Sequence, residues 1–269
     1  MFTPILLLLL AGAAAGFLGG LLGIGGGLLV VAALSLALPA LGVPKAEVMH
    51  VSVATSMATI VLTFVSSGAA HIRRGSVLWP TWRWLAPGMA AGGVVGAHLA
   101  QMLSGQTLRW VIAAFCAFMA WRMAYGKMPV QNAGKSELVP RSPWLLPAGA
   151  GIGAISAVAG IGGGSMTVPL LVSLGVKPVR AVGTSAVCGL AIALASALSY
   201  ALTLHPLPQP LPWGAVGYLY VPAAAVVALA SMALAPLGAR IAHAISGVAI
   251  KRAFAVFLIV VGAVIVAGG

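Results

Sequence analysis

From Pro4 to Gly42 the chain runs without a single charged side chain. A helix rises about 1.5 Å per residue, so an unbroken helix here would be close to 60 Å long, about twice the hydrocarbon thickness of a bilayer. In the middle of the stretch stands Gly23-Ile24-Gly25-Gly26-Gly27. Each glycine inside a helix costs roughly 1 kcal/mol relative to alanine. The segment is therefore predicted to break at GIGGG, either crossing once with an overhang or entering and returning. Broken backbone in lipid costs several kcal/mol per unpaired group, so it survives only under protein or beside a water-filled cavity.

Composition points the same way. The 269 residues are 61% hydrophobic and only 6% charged, with mean hydropathy +1.12. A soluble domain carries about 25% charged residues. So few ionic groups cannot cover a water-facing surface, and the lipid bilayer is the expected partner over most of it. The net charge of +12 would suggest nucleic acid in a soluble chain. Here the Lys and Arg residues are strung between apolar stretches with no basic face, so they read as topology markers and no nucleic-acid partner is expected. The same surplus suits an anionic substrate or anionic headgroups. Cys116 and Cys188 stand apart in apolar stretches, making neither a metal pair nor a disulfide framework. They are expected to be small core residues, and no metal or cofactor is expected. The N-terminal MFTPILLLLLAGAAAG lacks the basic start of a signal peptide and reads as mature protein. A homo-oligomer is compatible with all of this.

The pentapeptide recurs as Gly160-Ile161-Gly162-Gly163-Gly164, and the rest of the half-chain follows in order. Leu41-Gly42-Val43 returns as Leu174-Gly175-Val176, and Thr55-Ser56 as Thr184-Ser185. Trp79 then pairs with Trp213, Pro87 with Pro222, Gly96-Ala97 with Gly238-Ala239, and Arg109 with Arg252. Chance would not keep that order over a whole half-chain. The reading is a first transmembrane repeat over 1–125, a polar linker over 126–142 and a second repeat over 143–269. Four apolar segments fall in each half, near 4–42, 47–71, 83–103 and 107–125, then 143–175, 180–204, 213–236 and 248–267.

Basic residues decide how the opening segments run. Successive connections carry Lys45; Arg73, Arg74 and Arg83; Arg109; Arg122, Lys127, Lys135 and Arg141; Lys177 and Arg180; none; then Arg240, Lys251 and Arg252. If each opening segment crosses once, the two sides carry seven and seven; if each returns to its starting side, twelve and two. The positive-inside rule prefers the second. Both termini then lie extracytoplasmic, and the halves are inverted-topology repeats. Each would be a glycine-broken helical hairpin plus three transmembrane helices in an all-α polytopic membrane protein.

Inverted repeats opening on a buried, broken segment are a transporter plan. Helix starts after the glycines present free N–H groups and a partial positive charge, which hold an anion without buried Lys or Arg. The candidate substrate-binding residues are Gly25, Gly26 and Gly27 with Gly162, Gly163 and Gly164, joined by Ser165 as N-cap or hydroxyl donor. Thr55 and Ser56 with Thr184 and Ser185 are the next candidates, although such hydroxyls often bond their own helix or a neighbour. Close helix packing is the competing reading of the glycines themselves. The motif is not a dinucleotide fingerprint, since the third glycine position counted from Gly23 holds Leu28, and it lacks the GK[ST] ending of a phosphate-binding loop. The two acidic residues, Glu47 and Glu137, belong to connections, so no buried carboxylate relay is expected. His50 and His71 flank the second segment, and His98, His205 and His243 lie near other segment ends. Trp79, Trp82, Trp84 and Trp213 read as interface anchors.

In GLLGIGGG at Gly20–Gly27, AGIGGGSMTVPLL at Ala159–Leu171 and the stretches Val53–Ser56 and Ala181–Ser185, the chain resembles the sulfite exporter TauE/SafE family of membrane transporters. The resemblance covers nearly the full chain. It implies a carrier in a bacterial-type plasma membrane for sulfite or a related sulfur anion, such as thiosulfate or a sulfonate. One departure stands out: the second motif carries Pro169 where the first has Ala32. The expectation is an alternating-access transporter, running as an exporter, with its anion site at the repeat interface. An anion channel using the same donors is the alternative, followed by an intramembrane enzyme, which lacks an acid pair or metal cluster to work with, and by an accessory subunit.

Overall fold

The computed structural model describes residues 2–22, 26–125, 139–203, 209–242 and 247–267. Helices dominate. In the first half they are α1 (Phe2–Leu22), α2 (Gly27–Ala37), α3 (Val48–Arg73), α4 (Trp79–Met102) and α5 (Gly105–Tyr125). The second half supplies α6 (Leu145–Ala159), α7 (Gly164–Ser173), α8 (Pro178–Ala201), α9 (Val221–Ala242) and α10 (Gly247–Ala267). The all-helical reading holds, with one small addition. Strands β1 (Ala215–Val216) and β2 (Leu219–Tyr220) form an antiparallel hairpin that pairs Ala215 with Tyr220 and Val216 with Leu219.

Both opening segments break at their glycine motifs, as the helix cost of glycine requires. The shorter pieces cannot span alone: α6 has 15 residues and α7 has 10, about 22 and 15 Å against a core of about 30 Å. The repeated Leu-Gly-Val has a local explanation. Gly42 and Gly175 sit at φ 86° and 87°, left-handed values that suit glycine. There they let Val43 N–H reach Leu38 O (3.1 Å) and Val176 N–H reach Leu171 O (3.0 Å), closing the ends of both broken segments.

One expected correspondence needs correcting. Helix α9 begins at Val221, and α4 begins at Trp79, so Pro222 matches Pro80 in the second position of its helix, not Pro87. Trp213 lies before the hairpin, 94% exposed, and does not occupy the place of Trp79. Residue 80 and residue 222 differ by the same offset as Gly96 and Gly238, which restores a constant register over this helix.

The halves interlock. Helix α1 packs chiefly on α9 and α6 chiefly on α4, whereas α2 leans on α3 and α7 on α8. Helices α3 and α8 cross at the centre, α4 also packs on α8 and α9 on α3, and α5 packs on α10. Each principal pairing thus has a counterpart when the halves are exchanged. Glycines make the α4–α6 approach close: a Cβ at Gly88, Gly92 or Gly96 would collide with the carbonyl of Leu146, Ala150 or Ala154. Gly149 and Gly153 answer from α6 against Leu85 and Met89. Small residues every fourth position are how membrane helices gain contact where lipid gives no hydrophobic drive.

Helices α3 and α8 are individually long and apolar enough to cross a bilayer. The outside carries large apolar side chains that water would not tolerate in such number, among them Leu10, Leu99, Trp121, Leu229 and Ile259, each at least half exposed. Cys116 and Cys188 are buried free thiols, as expected of small core residues. Trp79 and Trp84 are exposed, and Trp82 turns inward, meeting Trp79 edge to face at 5.6 Å.

Candidate functional site

Helix α2 starts from Gly26 at φ 67° and α7 from Gly163 at φ 73°; α6 ends at Gly160 with φ 72°. These left-handed turns cost a Cβ-bearing residue about 1 kcal/mol or more, which accounts for the clustered glycines. Both starts close in the same way. Gly26 O accepts from Leu29 and Val30 N–H at 3.1 and 3.3 Å, and Gly163 O from Met166 and Thr167 N–H at 3.1 and 3.0 Å. The first N–H groups of each helix lack an intrahelical acceptor, and each start carries a partial positive charge.

The two breaks, more than 130 residues apart in sequence, touch. A Cβ at Gly27 would collide with Gly160 O and come within 3.3 Å of Ile161 Cα. Buried Ser56 on α3 ties them: its Oγ lies 3.0 Å from Gly27 O and 3.1 Å from Gly160 O, one hydroxyl proton serving both. Beside this junction is a small cavity with room for about one water molecule. Its lining is almost wholly apolar, from Leu28, Phe115, Met119, Ile161, Phe257 and Leu258, with Gly26, Gly27 and Ser165 contributing the two helix starts. Ser165 is 5% exposed and its Oγ has no hydrogen-bond partner, a desolvated donor with nothing to donate to.

The other candidates are placed differently. Gly162 packs against the Phe64 ring and Gly163 against Ile192, so their glycine character also serves close packing; Gly164 opens α7. Thr55 Oγ1 accepts Tyr220 N–H at 3.1 Å, and Thr184 Oγ1 accepts Leu78 N–H at 2.9 Å. Tyr220 and Leu78 immediately precede α9 and α4, so each threonine pins the start of a helix in the opposite half. Neither lines the cavity. Ser185 is buried with an unpartnered Oγ. Gly25, with Gly23 and Ile24, lies outside the described residues, as do Glu137, His205 and His243 and most of the 126–142 linker.

Sequence reading missed the aromatic and aliphatic cavity wall. Its signal was present in the Arg109–Arg252 pairing, whose offset sets Phe115 opposite Leu258. It also placed Glu47 in a connection without its burial. Glu47 is the N-cap residue of α3 and is 4% exposed, as is His50 one turn on. A buried carboxylate and imidazole thus stand at the head of α3, where Gly105 at the start of α5 approaches Ala46 and His50 and Tyr218 of the hairpin lies against the imidazole.

A family model described as "Sulfite exporter TauE/SafE" matches residues 8–265. The chain is 36% identical over 261 residues, 97% of both chains, to a Haemophilus influenzae protein named "Probable membrane transporter protein". A Xylella fastidiosa protein of the same name is 29% identical over 193 residues, 71% of this chain and 72% of that one. No solved structure matches significantly.

Proposed function

The chain belongs to the sulfite exporter TauE/SafE family and is a membrane transporter of that type, and from this we propose that it exports sulfite or a related small sulfur anion by alternating access at the junction of its two glycine breaks. The observation that carries the reading is the junction itself. Two helix starts approach one cavity, with Ser165 Oγ desolvated and unpartnered on its wall. An oxyanion supplies the acceptors this wall lacks, and no Lys or Arg need be buried to hold it. With room for about one water, the present cavity is the closed stage of a cycle that widens to admit substrate.

Inverted topology for the halves is part of the same proposal. The twelve-to-two distribution of basic residues supports it, while the exchange of packing partners supports the repeat itself. Rocking one half on the other would alter the Gly27–Gly160 contact directly, because Ser56 holds both carbonyls. The test is flux into liposomes across sulfite, thiosulfate and a sulfonate. Saturable transport of at least one is expected; no saturable flux of any would refute the reading, and an unsaturated ohmic current would select a channel.

A further inference from the structure

His50 Nε2 lies 3.0 Å from Leu103 O, and a carbonyl oxygen can only accept, so Nε2 carries the hydrogen. In the neutral ring Nδ1 is then a bare lone pair. It faces Glu47 Oε2 at 3.6 Å, and neither atom has a hydrogen-bond partner. Two acceptors thus confront each other in a buried site, an arrangement that is costly until one proton enters between them. With the proton on Nδ1 and the 3.6 Å gap closed to hydrogen-bond range, the confrontation becomes a charge-assisted hydrogen bond; with it on Oε2, a neutral O–H···N bond.

We propose that Glu47 and His50 form the proton-binding site through which transport is coupled to a proton gradient. The proposal rests on the transporter reading above and adds its coupling ion. The step is a protonation: one proton leaves water, is held between Nδ1 and Oε2, and returns to water on the other side of the cycle, with no bond made or broken elsewhere. Solvent is close, since Lys45 and Ala46 on the preceding turn are exposed. The surroundings are otherwise closed. Tyr218 of the hairpin stacks on His50 with ring centroids 5.2 Å apart, and its hydroxyl pKa is raised by burial and then by the Glu47 charge. Helix α5 packs on α3 with Gly105 beside His50 and buried Arg109 one turn further along α5, and among the described residues Glu47 makes its ion-pair contact with His50.

The link to the anion site runs along α3. His50 and Ser56 are six residues apart, about 9 Å along the axis, and Ser56 is the residue that ties both glycine breaks. Leu103 O and Tyr218 belong to the α4–α5 connection and the β-hairpin, so the dyad also touches both halves. Charge at the head of α3 and geometry at the junction therefore share one rigid element.

Two measurements test the proposal. In proteoliposomes with the membrane potential clamped, sulfite counterflow is compared with sulfite accumulation driven by an imposed pH gradient. Sulfite itself titrates near neutrality, and the variant comparison removes that contribution because it is common to both proteins. Glu47→Gln and His50→Gln are expected to lose about tenfold more gradient-driven accumulation than counterflow, a coupling loss of ordinary size. Equal loss of both, or loss of neither, overturns the proposal. The second measurement needs no substrate: pH-difference infrared spectra of the purified protein. Only two side chains in the sequence are acidic, so the carboxylic-acid band is assignable. One band present in the wild type is expected to vanish in Glu47→Gln and to shift its titration in His50→Gln; a band indifferent to His50 overturns the proposal. Absence of wild-type counterflow would instead refute the transport reading, leaving the infrared result to judge the dyad.

Discussion

Removing the Ser165 hydroxyl separates a binding role from a structural one. In Ser165→Ala the folded protein loses no hydrogen bond, because Oγ has no partner and the side chain is 95% buried. A buried unsatisfied polar group costs about 1–3 kcal/mol, so the variant should melt at the same temperature as the wild type or higher. Its effect on an anion is opposite. A hydrogen bond to a charged acceptor contributes about 1.5–3 kcal/mol, which is about ten- to hundredfold in affinity. Ser56→Ala is the paired control. It removes the single hydroxyl that serves Gly27 O and Gly160 O, so about 1–3 kcal/mol of stability should go with it. The assay is concentration-dependent sulfite flux in proteoliposomes, alongside thermal melting of the same preparations in detergent. The reasoning fails if Ser165→Ala leaves the half-saturating concentration within twofold of wild type, or if it melts as early as Ser56→Ala.

Three further outcomes are expected. Gly92→Leu drives a side chain into Ala150 O at the closest glycine approach between α4 and α6, so folded protein should be nearly absent on size-exclusion chromatography, while substitution at exposed Val95 on the same helix should be tolerated. Thr184→Ala and Thr55→Ala each leave a backbone N–H without its acceptor and should cost similar stability, about 1–3 kcal/mol in thermal or denaturant unfolding, because they hold corresponding helix starts. A C-terminal reporter should be active only on the extracytoplasmic side; a cytoplasmic signal would refute the inverted topology and the charge argument behind it.

Residue by residue, the sequence carried the one-dimensional facts. Apolar runs set the helices, since lipid leaves the backbone no other spanning solution, and the glycine clusters set the breaks, since helix propensity acts locally. The Leu-Gly-Val repeat was visible as a pattern, and its cap geometry follows from glycine at the left-handed position. Family membership was legible too, because the motifs that carry it are contiguous. What the sequence could not assign was the partner of each buried polar group. Ser56 reaches a carbonyl 104 residues away, Thr184 an amide 106 away and Thr55 an amide 165 away, and no periodicity encodes such pairings. Three hydroxyls that look alike in the repeats thus split into two that pin helix starts and one that ties the glycine breaks. Ser165, equally plain in sequence, is left with its proton unclaimed. The same holds for Glu47. Charge and position beside Lys45 mark it as a connection residue, and only the packing around the head of α3 removes it from water and sets it against His50. Hydropathy is a property of the residue itself, whereas desolvation and hydrogen-bond partnership are properties of what the rest of the chain places around it.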